Sequence, residues 1–145
     1  MLHKPNPIQP CIAMDMQLLI DSAYRAVQAN DLPGKGTWLN NDAADSGREA
    51  LGALADSLAY IPSYSGEGAL ATYCALYGAL GINTEKLPHE AQADVQRAKL
   101  MTLQLINFLE RKFGLDRVEM GLDYFCSDWA EAAHLPWAVE QAGAA

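Results

Sequence analysis

Apolar positions recur along this chain at three- and four-residue spacing, and nothing alternates over five or more residues, so the pattern predicts helices and no strand. A first helix is expected over residues 14–28, with Leu18, Leu19, Ala23, Ala26 and Val27 near one face. Asn30, Asp31, Leu32, Pro33 and Gly34 end it. A loop with Gly34, Gly36, Asn40, Asn41 and Asp42 follows, and Trp38 and Leu39 are expected to plug onto the core. A second helix begins within residues 43–46, where Asp42, Asp45 and Ser46 compete to cap it. Leu51, Leu54, Ala55 and Leu58 form its apolar repeat, and Pro62 stops it.

Ser63 or Ser65 can cap a third helix, with Glu67 near its positive end. Leu70, Tyr73, Cys74, Tyr77 and Leu80 make its inner stripe, and Gly81 is expected as a left-handed cap. A fourth helix starts near Pro88 and runs to Phe113, where Arg111 and Lys112 suit the dipole and Gly114 stops it. Its roughly 25 residues would span ~38 Å. A fifth is expected over residues 116–133, because Val118, Leu122, Phe125 and Trp129 step by four, three and four.

The fourth helix stands out. From Leu100 to Leu109 no residue is charged, and seven of the ten are large and apolar. Such a segment covers more of the helix circumference than a surface helix needs. It is either the central helix of a bundle or one that also meets a second subunit. The pattern therefore predicts an all-α, single-domain bundle of about five helices with a long, largely buried fourth helix. Pro5, Pro7 and Pro10 make residues 1–13 a flexible N-terminal segment, with residues 14–145 as the helical domain. Met14 and Met16 offer alternative starts.

Composition narrows the function classes. A formal net charge of −8 over 145 residues argues against nucleic acid and against anionic membrane surfaces. No segment reaches the roughly 18 apolar residues of a membrane span. From residue 115 onward Arg117 is the one Lys or Arg against six acids. Cys11, Cys74 and Cys126 are too few and too far apart for a disulfide framework or a zinc pattern, and reduced thiols suit the cytoplasm.

Candidate chemistry is sparse. Glu131 and His134 form a single Glu-x-x-His pair, whereas a di-iron bundle needs two such pairs and two further Glu. His89 follows Glu85 across Pro88, which breaks the match. Pro33-Gly34-Lys35-Gly36-Thr37 lacks the spacing of a phosphate loop and reads as a turn. Asn40, Asn41, Asp42 and Asp45 lack the ligand spacing of a calcium loop. No metal, cofactor or catalytic set is assigned.

The densest candidate site is aromatic. Tyr60, Tyr64, Tyr73 and Tyr77 lie within 18 residues, around the turn at Ser63-Tyr64-Ser65-Gly66. Tyrosine brings an apolar body and a polar tip to a pocket or interface. Ser63, Ser65, Glu67 and the first amides of the third helix would add polar contacts. The leading reading is a non-enzymatic module that forms a homodimer or binds another protein. The first alternative is a small-molecule-binding protein, with or without catalysis, using Tyr60, Tyr64, Ser65, Glu67, Tyr73 and Tyr77. The second is an acidic inhibitor or chaperone that meets a basic protein through Asp116, Glu119 and Asp123, which lie off the apolar seam of the fifth helix.

Overall fold

Pro88 and Gly114 mark the two ends of the longest element in the computed structural model, which describes residues 11–31, 38–128 and 130. The fold class is all-α and fits a helical bundle. Among the described residues four α-helices run in the order α1 (Ile12–Asn30), α2 (Trp38–Leu58), α3 (Gly66–Leu80) and α4 (His89–Phe113). Short 3-10 turns at Thr84–Lys86 and Leu122–Tyr124 complete the set, and no strand occurs among those residues. The chain divides into two compact units, Met1–Thr72 and Tyr73–Ala145.

In the first unit α1 packs on α2. The buried face of α1 is Ala13, Gln17, Ile20 and Val27, whereas Leu18 and Leu19 are exposed. The expected face is thus rotated, because a buried Gln does not register as apolar. The helix also starts at Ile12, two residues early, and Ala13 is fully buried. Residues 1–10 lie outside the described residues.

Helix α2 starts at Trp38, so Asn40, Asn41, Asp42 and Asp45 sit inside it rather than in a loop before it. Asp45 does not cap the helix but pairs with Arg48, which also reaches Asp31 beyond the end of α1. The side chains of Trp38 and Leu39, expected as plugs, lie outside the described residues, as does the turn at Pro33–Thr37. Leu51 and Leu58 are buried. After Leu58 the chain tightens into successive three-residue turns before Pro62.

Ser65 caps α3 as expected: its Oγ accepts the Gly68 amide at 3.0 Å. Gly68 lies where α3 meets the start of α1. A Cβ there would stand 2.8 Å from Ala13 Cβ and 3.2 Å from its carbonyl carbon, so a side chain would force the two helices apart.

In the second unit, Cys74, Ala75 and Tyr77 of α3 are buried together with Leu103, Ile106, Leu122 and Cys126. The left-handed residue after α3 is Asn83 (φ 55°) and not Gly81. Asn visits this region more readily than other residues with a Cβ. Gly81 instead closes a tight turn onto Gly78.

Helix α4 ends as read. Gly114 is left-handed (φ 64°), and both its amide and that of Leu115 return to the Glu110 carbonyl, closing the helix end. Its burial, however, is one-sided, and the expectation of a largely buried helix is corrected. Thr102, Leu103 and Ile106 are buried, while Met101, Leu105 and Phe108 are 67%, 44% and 59% exposed.

The fifth helix does not form over residues 116–128. Asp116 Oδ1 accepts the amides of Val118 and Glu119, an Asx-type turn that competes with helix. Gly121 then turns left-handed (φ 71°), and Arg117 points into the interior instead of along a helix surface. The stepping by four and three of Val118, Leu122 and Phe125 therefore marks separate turns, with Leu122 buried and Val118 42% exposed. Trp129 and the Glu131/His134 pair lie outside the described residues.

Candidate functional site

The outward face of α4 is the first candidate. At 100° per residue, Glu90, Asp94, Arg97, Met101, Gln104, Leu105, Phe108 and Lys112 all fall within about 60° of Met101. All eight are exposed. The face carries acids at its N-terminal end, three large apolar groups along its middle and C-terminal part, and a base at its last turn. Asp94 and Arg97 pair with each other on this surface. The buried residues Leu103 and Ile106 lie on the opposite side of the helix. Apolar groups on two opposed sides explain why the segment reads as uncharged all round.

A second candidate is a thiol that sequence reasoning passed over. Cys11 precedes α1 and is partly exposed. Its Sγ lies 3.1 Å from Ser65 Oγ and accepts the Tyr64 amide at 3.3 Å. Burial pushes this thiol up, but the hydrogen bonds from Ser65 and from the Tyr64 amide outweigh it and hold its pKa below the ordinary range. No spacing motif announces this niche, since its partners are 53 and 54 residues away.

A depressed pKa means more thiolate at neutral pH, and the thiolate is the reactive form. Cys11 is therefore expected to react with iodoacetamide well before Cys74 and Cys126, which are fully buried. Its rate should reach half-maximum at a pH below that of a free cysteine. Ser65→Ala should move that midpoint upward. Peptide mapping across a pH series checks this; equal labelling of all three cysteines in the native protein would refute it.

A hydrogen bond with Cys126, together with burial, pushes the Cys74 thiol well up and disfavours its thiolate. Tyr77 beside them is raised by burial, and Lys99 Nζ stands 4.9 Å from its ring centroid.

Arg117 organises the segment after α4. It is 3% exposed, and its guanidinium donates to Glu110 Oε1 at 2.5 Å and to the carbonyls of Cys126 and Ser127 at 3.1 and 3.0 Å. Its amide donates to Glu110 Oε2 at 2.9 Å. This is a structural tie: the amide, Nε, Nη1 and Nη2 each donate to a protein oxygen.

The tyrosines are spread differently from expectation. Tyr60 is 89% exposed, Tyr64 is exposed, and Tyr77 is buried. Tyr60, Tyr64, Ser65 and Glu67 belong to the first compact unit, Tyr73 and Tyr77 to the second. Ser65 is occupied as a cap and as the partner of Cys11. Among the described residues, the second unit has concavities. One of about 390 Å³ is lined by residues including Glu85, His89, Gln92 and Lys99, and one of about 590 Å³ lies beside Glu110, Asp116 and Arg117. Neither has a tyrosine in its wall.

Asp116, Glu119 and Asp123 do not form a helical acidic face, because the helix that would align them is replaced by turns. Asp116 spends a carboxylate oxygen on its own turn. Among the described residues no group of three or more His, Cys, Asp or Glu is placed to hold a metal ion, and no helix is long and apolar enough to cross a membrane. Compared with protein-family models, with curated proteins and with solved structures, the chain matches none.

Proposed function

We propose that the chain is a self-associating helical module, acting through assembly with a second copy of itself rather than through chemistry. The observation that supports this reading is the apolar strip of Met101, Leu105 and Phe108 on the solvent side of α4. Scattered exposed apolar residues are ordinary, but three at helical spacing on one face make a seam. Pairing two such seams removes them from water without a partner of other composition. The three cysteines, all free, fit a reducing compartment such as the cytoplasm.

Sedimentation velocity across concentration tests the reading. The wild-type chain should shift from monomer toward dimer between about 1 μM and about 1 mM, the span in which even a weak association shows. A Leu105→Glu, Phe108→Glu double variant should stay monomeric with an unchanged helical circular dichroism signal, because both sites are solvent-facing and Glu is a good helix former. A wild-type chain that is monomeric throughout would overturn the proposal.

A further inference from the structure

The charges along the α4 face also choose the direction of pairing, an inference that rests on the self-association just proposed. Read from the N-terminal end, the exposed positions within about 40° of Met101 are Glu90, Asp94, Arg97, Met101, Leu105, Phe108 and Lys112, with Gln104 at the edge of the face about 60° away. They are symmetric about Met101: Glu90 and Lys112 stand eleven residues to either side, Asp94 and Phe108 seven, Arg97 and Leu105 four.

The outermost pair, Glu90 and Lys112, is opposite in charge, while Asp94 is matched with Phe108 and Arg97 with Leu105. We infer that two copies pair antiparallel across α4, with a twofold axis near Met101.

In that arrangement Glu90 meets Lys112 of the second copy, and Asp94 lies one turn from the same ammonium. The contact repeats at the other end, as an isologous interface requires. Between the ends, Met101 meets its own counterpart. Leu105 packs under the aliphatic stem of Arg97 from the second copy, a stem that can cover apolar surface while its head stays in water. The two charged ends are 22 residues apart, about 33 Å along the helix.

A parallel pair has the opposite result. Glu90 would face Glu90, Asp94 would face Asp94, and Lys112 would face Lys112, and like charges across an interface oppose association. The internal Asp94–Arg97 pair does not compete strongly, since both side chains are about 70% exposed and such pairs are weak. Helix α1 also exposes Ile12, Met14, Leu18 and Leu19, but Ile12 with Leu19 and Met14 with Leu18 fall on opposed sides, so no face of α1 carries three in a row.

The experiment compares three proteins by sedimentation equilibrium at low salt. Lys112→Glu alone places acid against acid at both ends of an antiparallel pair, and the dissociation constant is expected to rise at least about tenfold. In a parallel pair the same change only exchanges one like-charge contact for another. The triple variant Glu90→Lys, Asp94→Lys, Lys112→Glu restores opposite charges at both ends and is expected to return within about threefold of wild type.

All three sites are exposed, so unchanged circular dichroism should accompany each variant. If the wild type dimerises and Lys112→Glu dimerises equally well, the antiparallel assignment fails while self-association stands. If Lys112→Glu weakens the dimer and the triple variant does not recover, the pairing of these ends is wrong. If the wild type never dimerises, both inferences fall together.

Discussion

Replacing Arg117 by alanine is expected to cost about 3–5 kcal/mol, because it leaves a partly buried carboxylate without its countercharge. Glu110 is mostly shielded, at 17% exposure, and loses the guanidinium bond to Oε1. The Cys126 and Ser127 carbonyls lose their donor at the same time, and unsatisfied buried acceptors carry their own penalty. For a chain of this length the melting temperature should fall by on the order of 10 °C.

The controls separate charge from packing. Glu110→Gln keeps the acceptor oxygen and the shape, so it should be milder than Arg117→Ala. Exchanging both partners for apolar residues of similar volume should recover much of the loss, because a buried ion pair is often no more stabilising than a well-packed apolar replacement. Urea unfolding of the four proteins checks the set. An Arg117→Ala protein as stable as wild type would show that the guanidinium holds nothing together.

Leu103→Ala should be the second large effect, about 2–5 kcal/mol, since Leu103 is fully buried and its removal leaves a cavity. Its direction on α4 makes it a clean partner to the seam variants. Leu103 lies about 160° around the helix from Met101, on the core side. Its melting shift should therefore be the same at every protein concentration. Loss of the seam residues Leu105 and Phe108 should instead remove only the concentration-dependent part of stability, which mass action supplies to a dimer. Differential scanning calorimetry at two widely separated concentrations distinguishes the two. A Leu103→Ala shift that grows with dilution would place Leu103 at the interface.

Helix ends set by local chemistry were readable in the chain. Pro88, the Arg111-Lys112 pair and Gly114 mark α4 at both ends, and Ser65 caps α3, because each acts within a few residues of itself. What failed depends on distant partners. Val118, Leu122 and Phe125 have helical spacing, yet the inward turn of Arg117 requires Glu110 on one side and two carbonyls on the other. A periodicity of apolar residues contains no trace of a buried guanidinium. Gln17 defeated the reading of α1 in the same way, since an amide in the core looks like a surface residue.

The seam itself was half legible. The uncharged run from Leu100 to Leu109 announced that α4 has two apolar sides, and left open whether a bundle or a second copy covers both. Burial assigns Leu103 and Ile106 to the interior and leaves Met101, Leu105 and Phe108 outside, on the side given to the proposed second copy. The Cys11 niche had no signal at all, because it joins the start of α1 to a turn more than 50 residues on.

The Ser65 hydroxyl belongs to two structures at once, accepting from Gly68 and touching Cys11. Its two roles are thermodynamically linked, and linkage is reciprocal. Ionisation of the Cys11 sulfur must alter the free energy with which the first turn of α3 closes, by the same amount that fraying of that turn alters the acidity of the thiol. Ionisation of Cys11 would thus be read out as a change in amide exchange at Gly68, giving the sulfur a reporter in the neighbouring helix.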